Sequence, residues 1–165
     1  MAQPGDLILV HMLEPQAVGS YFSCQRWPLH ITLLPWFSAS AEQVVRLREQ
    51  LQKLAFAAAP FTVTVGAEAQ FGPQQDIPVN VIADPAALQQ LHQALLSLTQ
   101  LLQISLVNAD YVDKNYRAHI SRYEGRYANE GDHIALHDFY LVQVQRDNSC
   151  QIIGNFELRA GPSNG

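Results

Sequence analysis

Two near copies of one tripeptide, His30-Ile31-Thr32 and, in the last third of the chain, His119-Ile120-Ser121, constrain this sequence more than any other feature. In a β-strand, successive side chains point to opposite faces. His30 and Thr32 therefore share one face while Ile31 points the other way, and the same alternation joins His119 to Ser121. Each strand offers an imidazole and a hydroxyl to a common surface, with an isoleucine anchoring it in the core. Chance supplies only about 0.2 such tripeptides in a chain with this share of histidine, apolar, Ser and Thr residues. The pair reads as one four-group site, and the rest of the chain as its scaffold.

With 165 residues, 48% of them hydrophobic and 15% charged, the chain has the material for one sizeable core. We expect a single domain over residues 1–160 and a disordered tail over 161–165. Ten basic against fifteen acidic residues give a net charge of -5, with Lys53 and Lys114 the only lysines and no basic run. Binding to long nucleic acid needs many Lys and Arg phosphate contacts, so it is not expected. A small anion met by a few placed groups fits this balance. Cys24 and Cys150 have no metal-ligand spacing and are too few for a disulfide framework, which points to reduced thiols and a cytoplasmic setting. The start, Met-Ala-Gln-Pro-Gly-Asp, lacks the pattern of a signal peptide, and no apolar run approaches the ~18 residues of a membrane span.

Leu7 to Leu13 reads as a strand holding His11 in the core or at a cleft edge, and Glu14 to Pro28 as a loop whose Arg26 and Trp27 either line a site or, as the favoured reading, pack at the surface. Ser40 and Gln43 form a capping box for a helix with Val44, Leu47, Leu51, Leu54 and Ala58 as its apolar stripe, ended by Pro60. Phe61 to Val65 alternates as a strand that Gly66 to Phe71 extends, and Ile77 to Ala83 is a second. Asp84 as N-cap and Pro85 at the first position open another helix, buried through Leu88, Leu91, Leu95, Leu98 and Leu102, with His92 as a helix-edge residue of no functional role. Ile104 to Val107 reads as a strand and Asn108 to Asn115 as a turn. The second motif then places Arg117, His119, Ser121 and Tyr123 on one face. His133 to Gln145 and Ile152 to Arg159 read as two antiparallel strands around Asp147-Asn148-Ser149. His133 and His137, four apart on a strand, lie about 13 Å apart and do not form a metal pair.

Two imidazoles facing one pocket can divide the work of phosphoester cleavage. One takes a proton from the attacking water or hydroxyl while the other protonates the leaving oxygen. Their free pKa lies near neutrality, so both forms are available. Thr32 and Ser121 can donate hydrogen bonds to the non-bridging phosphate oxygens as charge develops, and the planar Arg117 suits the same oxygens. This scheme calls for neither a metal nor a cofactor. Walker-type, His-Glu-x-x-His and Gly-x-Ser-x-Gly patterns do not occur in the sequence.

A duplicated His-x-Thr/Ser motif is the mark of the two-histidine (2H) phosphoesterase superfamily, the group of 2'-5' RNA ligase-like proteins and cyclic nucleotide phosphodiesterases, and this chain resembles it over most of its length. The resemblance implies an α+β fold of two pseudo-symmetric lobes, each an antiparallel sheet with outer helices, and a central cleft carrying both motifs. It also implies metal-free hydrolysis of a 2',3'-cyclic phosphate or a related cyclic phosphodiester, often to a 2'-phosphate, with His30 and His119 catalytic. After Ser121 this chain reads Arg122-Tyr123 where many members continue Thr-Leu-x-Arg, so contacts beyond the motif do not carry over. The low Lys and Arg content favours a small cyclic nucleotide or an RNA 2',3'-cyclic phosphate end as partner, met by a monomer. Trp36, Phe71 and Tyr123 are the candidates for stacking on a base. Two other readings are a non-catalytic binder of nucleotide or RNA phosphates on the same fold, and an interaction domain with two structural histidines.

Overall fold

In the computed structural model, which describes residues 2–161, ten strands and two helices follow the order read from the sequence with one added strand and one split. The strands are β1 (Leu7–Met12), β2 (Tyr21–Ser23), β3 (His30–Ser38), β4 (Phe61–Phe71), β5 (Ile77–Ile82), β6 (Ser105–Leu106), β7 (His119–Ser121), β8 (His133–Leu136), β9 (Asp138–Val144) and β10 (Ser149–Glu157). The helices are α1 (Ala41–Ala57) and α2 (Ala86–Leu101). Of the expected tail over 161–165, residues 162–165 lie outside the described residues.

The strands run β2-β10-β9-β1-β3-β7-β5-β4-β8, with β6 beside the end of β3, and every pairing is antiparallel. This is an α+β fold of two lobes, one around β1, β3, β9 and β10 and the other around β4, β5, β7 and β8. The lobes meet where β3 pairs with β7, through Ile31 opposite Ile120. All six residues of β1 are buried, as its position between β3 and β9 requires.

One large core lies on the helix side of the sheet, where Leu47, Leu51 and Ala55 of α1 and Leu88, Leu91 and Leu95 of α2 meet Leu7, Leu9, Ile31 and Leu33. The first lobe has a second cluster on its opposite face, built from Ile8, Val10, Met12, Tyr140, Val142 and Ile152 and covered by Phe22, Trp27 and Trp36. The capping box forms as the sequence predicts: Gln43 N–H donates to Ser40 Oγ at 3.1 Å and Ser40 N–H to Gln43 Oε1 at 2.9 Å. Gln43 Nε2 also donates to the carbonyls of Leu102 and Gln103, which ties the start of α1 to the end of α2. Gly66 sits at a β4 irregularity where a Cβ would come within 2.8 Å of the Val81 carbonyl, so the close approach needs glycine.

Several expectations change. The 14–28 loop contains β2, which pairs with β10, and Cys24 next to it is disulfide-bonded to Cys150 rather than reduced. The two cysteines are 126 residues apart in sequence and only the β2–β10 pairing brings their Cα atoms to 5.5 Å, so spacing could not reveal it. The run from His133 to Gln145 breaks at His137, since β8 pairs with β4 in one lobe while β9 pairs with β1 and β10 in the other. Asp84 does not cap α2: its carboxylate accepts the Thr64 N–H at 2.8 Å, and Pro85 takes the cap position. His92 is fully buried rather than at a helix edge.

Candidate active site between the lobes

Pairing Ile31 with Ile120 across antiparallel strands sets the geometry of the site. His30 falls beside Ser121 and Thr32 beside His119, all four on the face opposite the two isoleucines. The histidines occupy one diagonal of this rectangle, a spacing of about 7 to 8 Å between residues with the Cβ atoms somewhat closer. The isoleucines are completely buried, while the four polar residues are partly exposed.

Each imidazole is fixed in the same way. His30 Nδ1 lies 2.8 Å from the Pro28 carbonyl and His119 Nδ1 lies 2.8 Å from the Arg117 carbonyl, each two residues upstream. A carbonyl only accepts, so Nδ1 carries the proton and Nε2 is left with its lone pair for a partner. Burial, with help from His119, holds the His30 pKa down at about 4, against a pull upward from the Pro28 carbonyl. His119 is also lowered, by burial first and by the Arg117 charge, against its own carbonyl contact. Both rings are therefore neutral near pH 7 in the free protein.

Of the other residues the sequence singles out, Phe71 stands edge-on to His119 with ring centroids 4.7 Å apart, and the Arg117 guanidinium lies 4.7 Å over the Phe71 ring. Arg117 is thus beside His119. Tyr123 lies past the end of β7, its phenol pushed up by burial while Arg126 and the Ser121 hydroxyl pull the other way, and Arg126 covers its ring at 4.8 Å. Trp36, on the first lobe, meets Trp27 at 5.9 Å rather than either histidine. Trp27, for which the sequence favours surface packing over a place in a site, packs on the His30 ring with centroids 4.7 Å apart.

Sequence reasoning also missed the support beneath β3. His92 Nε2 accepts the Asp113 N–H at 2.8 Å, so its Nδ1 carries the proton and donates to the Leu33 carbonyl at 2.7 Å. Its ring stacks on Tyr116 at 4.1 Å, and the Tyr116 hydroxyl donates to the Thr32 carbonyl at 2.8 Å. Burial pushes the Tyr116 phenol up, which keeps it a donor. A histidine bordering the leucine stripe of α2 was the available signal.

Arg122, where the sequence departs from the common pattern, is engaged in structure. Its Nη1 donates to Asn80 Oδ1 at 2.7 Å and to the Ala128 carbonyl at 3.1 Å, and its Nε meets Glu68 at 3.1 Å. No group of three metal-ligating residues forms among the described residues. None of the helices described is long and apolar enough to cross a membrane.

Two lobes of antiparallel sheet meeting at a pair of His-x-Thr/Ser strands define a protein of the two-histidine phosphoesterase class. The family model of the 2'-5' RNA ligase superfamily matches residues 15–122, and the chain belongs to that superfamily. Its structure resembles one solved as a phosphoesterase, at a TM-score of 0.66 and 17% identity, covering 96% of this chain and all of the other. Escherichia coli LigT in complex with NADP+ matches at 0.64 and 17% identity over 96% of this chain and all of LigT. TT0787 of Thermus thermophilus matches at 0.63 and 16% identity over 95% of this chain and all of that one. No curated protein matches the chain in sequence.

Proposed function

We propose that this protein is a phosphodiesterase that opens 2',3'-cyclic phosphates of nucleotides or RNA ends, with His30 and His119 as the acid-base pair. The observation that carries the reading is the diagonal of two imidazoles, each held through Nδ1 by the carbonyl two residues upstream and each left with a free Nε2. One Nε2 takes a proton from water as its oxygen bonds to phosphorus, and the other ring, protonated, gives its proton to the departing ribose oxygen. Thr32 and Ser121 donate to the non-bridging oxygens, and Arg117 adds a positive charge where negative charge builds. Net atoms balance as one water added across one P–O bond. None of these steps assigns the pair a fixed order of base and acid.

An anion in the site favours the charged imidazoles that burial disfavours, so substrate binding promotes uptake of the acid's proton from solvent. Nucleotides are a ligand class seen in the relatives: solved structures of Escherichia coli LigT hold NADP+, 3'-AMP and ATP. That supports a nucleotide substrate here. The proposal also takes the chain as a single domain over 1–160 and a monomer, with a small ligand rather than long nucleic acid as its partner.

The decisive experiment incubates the purified chain, with EDTA present, with the four nucleoside 2',3'-cyclic monophosphates and follows products by phosphorus NMR. One monophosphate isomer, formed by the parent protein and lost in both His30→Ala and His119→Ala, is the expected result. Unchanged cyclic phosphate from the parent protein, both on these four and on an oligoribonucleotide ending in a 2',3'-cyclic phosphate, rejects the reading.

A further inference from the structure

The two motif strands touch each other sparingly. β7 is three residues long and faces β3 at a single pair, Ile31 opposite Ile120. One pair fixes a point of contact but not the angle between the strands. Division of acid and base work between His30 and His119 depends on that angle, because a misplacement of about 1 Å can cost on the order of a hundredfold in rate. Arg126 Nη1 reaches the Trp27 carbonyl from the second lobe at 3.0 Å, but neither end of that bond lies on a motif strand.

Tyr116 is placed to set the angle. It stands three residues before His119, and its hydroxyl donates at 2.8 Å to the carbonyl of Thr32, the residue beside His119 on the facing strand. The chain leading into the second motif is thereby tied to the backbone of the first, from the helix side of the sheet. Arg117 follows Tyr116 directly, and its carbonyl lies 2.8 Å from His119 Nδ1. The anchor is therefore one peptide away from the group that orients the His119 ring.

The phenol is itself held on several sides. Tyr116 is 8% exposed and its ring stacks on His92 at 4.1 Å with the planes 6° apart. Its N–H donates to the Asp113 carbonyl at 3.1 Å. Three side chains of α2 fasten Asp113 in turn: His92 Nε2 accepts its N–H, Gln89 donates to its carbonyl and Gln93 to its carboxylate. A phenylalanine would fill the same space and make the same stack, so the hydroxyl is the one part of the side chain that packing does not account for.

We propose that Tyr116 is a positioning residue: through its bond to the Thr32 carbonyl it sets the distance and angle between the His30 and His119 imidazoles without touching substrate. The proposal rests on the phosphodiesterase reading and deepens it, by placing control of the site's geometry in a side chain outside both motifs.

Tyr116→Phe keeps the ring and its stack on His92 and removes only the hydroxyl. With a nucleoside 2',3'-cyclic phosphate as substrate, kcat should fall about tenfold to a hundredfold while KM stays within about twofold, because the loss falls on the transition state. Ser40→Ala, which breaks the capping box of α1 beyond the far end of β3, is the control for stability alone. It should lower the urea midpoint and leave kcat at the parent value. Trimethylamine N-oxide favours the folded state, so it keeps Tyr116→Phe folded for the assay, and it should not restore kcat. A parent protein inactive on every cyclic phosphate rejects the phosphodiesterase reading and this proposal with it. An active parent whose Tyr116→Phe variant keeps its kcat, whatever the variant loses in urea midpoint, overturns the positioning role alone. A kcat that trimethylamine N-oxide brings back to the parent value does the same, since the loss was then one of folded protein.

Discussion

The same tripeptide is held in two different ways. In the first lobe, His30-Ile31-Thr32 begins a nine-residue strand paired with β1 along one side, and two side chains from below, His92 and Tyr116, hydrogen-bond the carbonyls of Leu33 and Thr32. In the second, His119-Ile120-Ser121 is the whole of β7, three residues paired with β5 and at one point with β3, and the chain beyond it is fixed by Arg122. One motif is carried by a ladder of backbone hydrogen bonds, the other by a guanidinium with three hydrogen-bonding or ionic partners. Equivalent side chains have been set into unequal scaffolding, so the proposed function makes the halves equal in catalysis and unequal in what breaks them.

The largest expected effect tests the equality. His30→Ala and His119→Ala should each lower kcat on a nucleoside 2',3'-cyclic phosphate by about 2 to 4 orders of magnitude, the usual worth of a positioned acid or base. Rapid-quench assays read both. If one variant keeps near-parent turnover, the two halves do not share the chemistry.

Arg122→Met comes next and tests the inequality. It removes charged hydrogen bonds to Asn80 and to the Ala128 carbonyl and leaves the Asn80 side-chain oxygen, in a residue 1% exposed, without that donor. Hydrogen bonds to charged groups give an expected loss of about 2 to 3 kcal/mol in urea unfolding. The Glu68 pair adds little, because Glu68 is 69% exposed and solvent screens it. His92→Leu should cost somewhat less, about 1 to 2 kcal/mol, by stranding the Leu33 carbonyl and the Asp113 N–H. Equal and small losses in both would erase the distinction between ladder and guanidinium.

The sequence was most legible where the signal is local. Ser40 and Gln43 announce α1, the leucines at three- and four-residue spacing announce α2, and the period of two places His30 with Thr32 and His119 with Ser121. Signals failed where meaning depends on a partner distant in the chain. Trp27 has two readings, site or surface, until folding sets it against His30. His92 gains its role only from Leu33 and Asp113, which belong to other elements. Cys24 and Cys150 meet only through the pairing of β2 with β10. Asp84 has the right residue type for a cap, yet the Thr64 N–H competes for its carboxylate and wins.

The smallest effect concerns protons, and its sign follows from the two histidines. The pKa of His30 in the folded protein is about 4 against 6.5 for the free side chain, so folding favours the neutral ring. Its contribution to stability is complete above 6.5 and is lost as pH falls towards 4. An anion between the imidazoles reverses the preference, because it interacts with the protonated rings more favourably than with the neutral ones. Binding then takes up protons and tightens as pH falls. Sulfate is a suitable probe, since it does not titrate between about pH 5.5 and about pH 7.5, so proton uptake on binding in that window belongs to the protein. Uptake of each proton corresponds to a tenfold gain in affinity per pH unit, so the slope should lie above zero and below the limit of two protons that two rings set, and the calorimetric heat should vary with the ionisation enthalpy of the buffer. His30→Gln and His119→Gln should each flatten the slope. A slope that vanishes in one variant and is untouched in the other would show that a single ring takes up the proton, and the two halves would then differ in electrostatics as well as in scaffold. A slope of zero in the parent protein would mean that Arg117 and the hydroxyls hold the anion without the imidazoles.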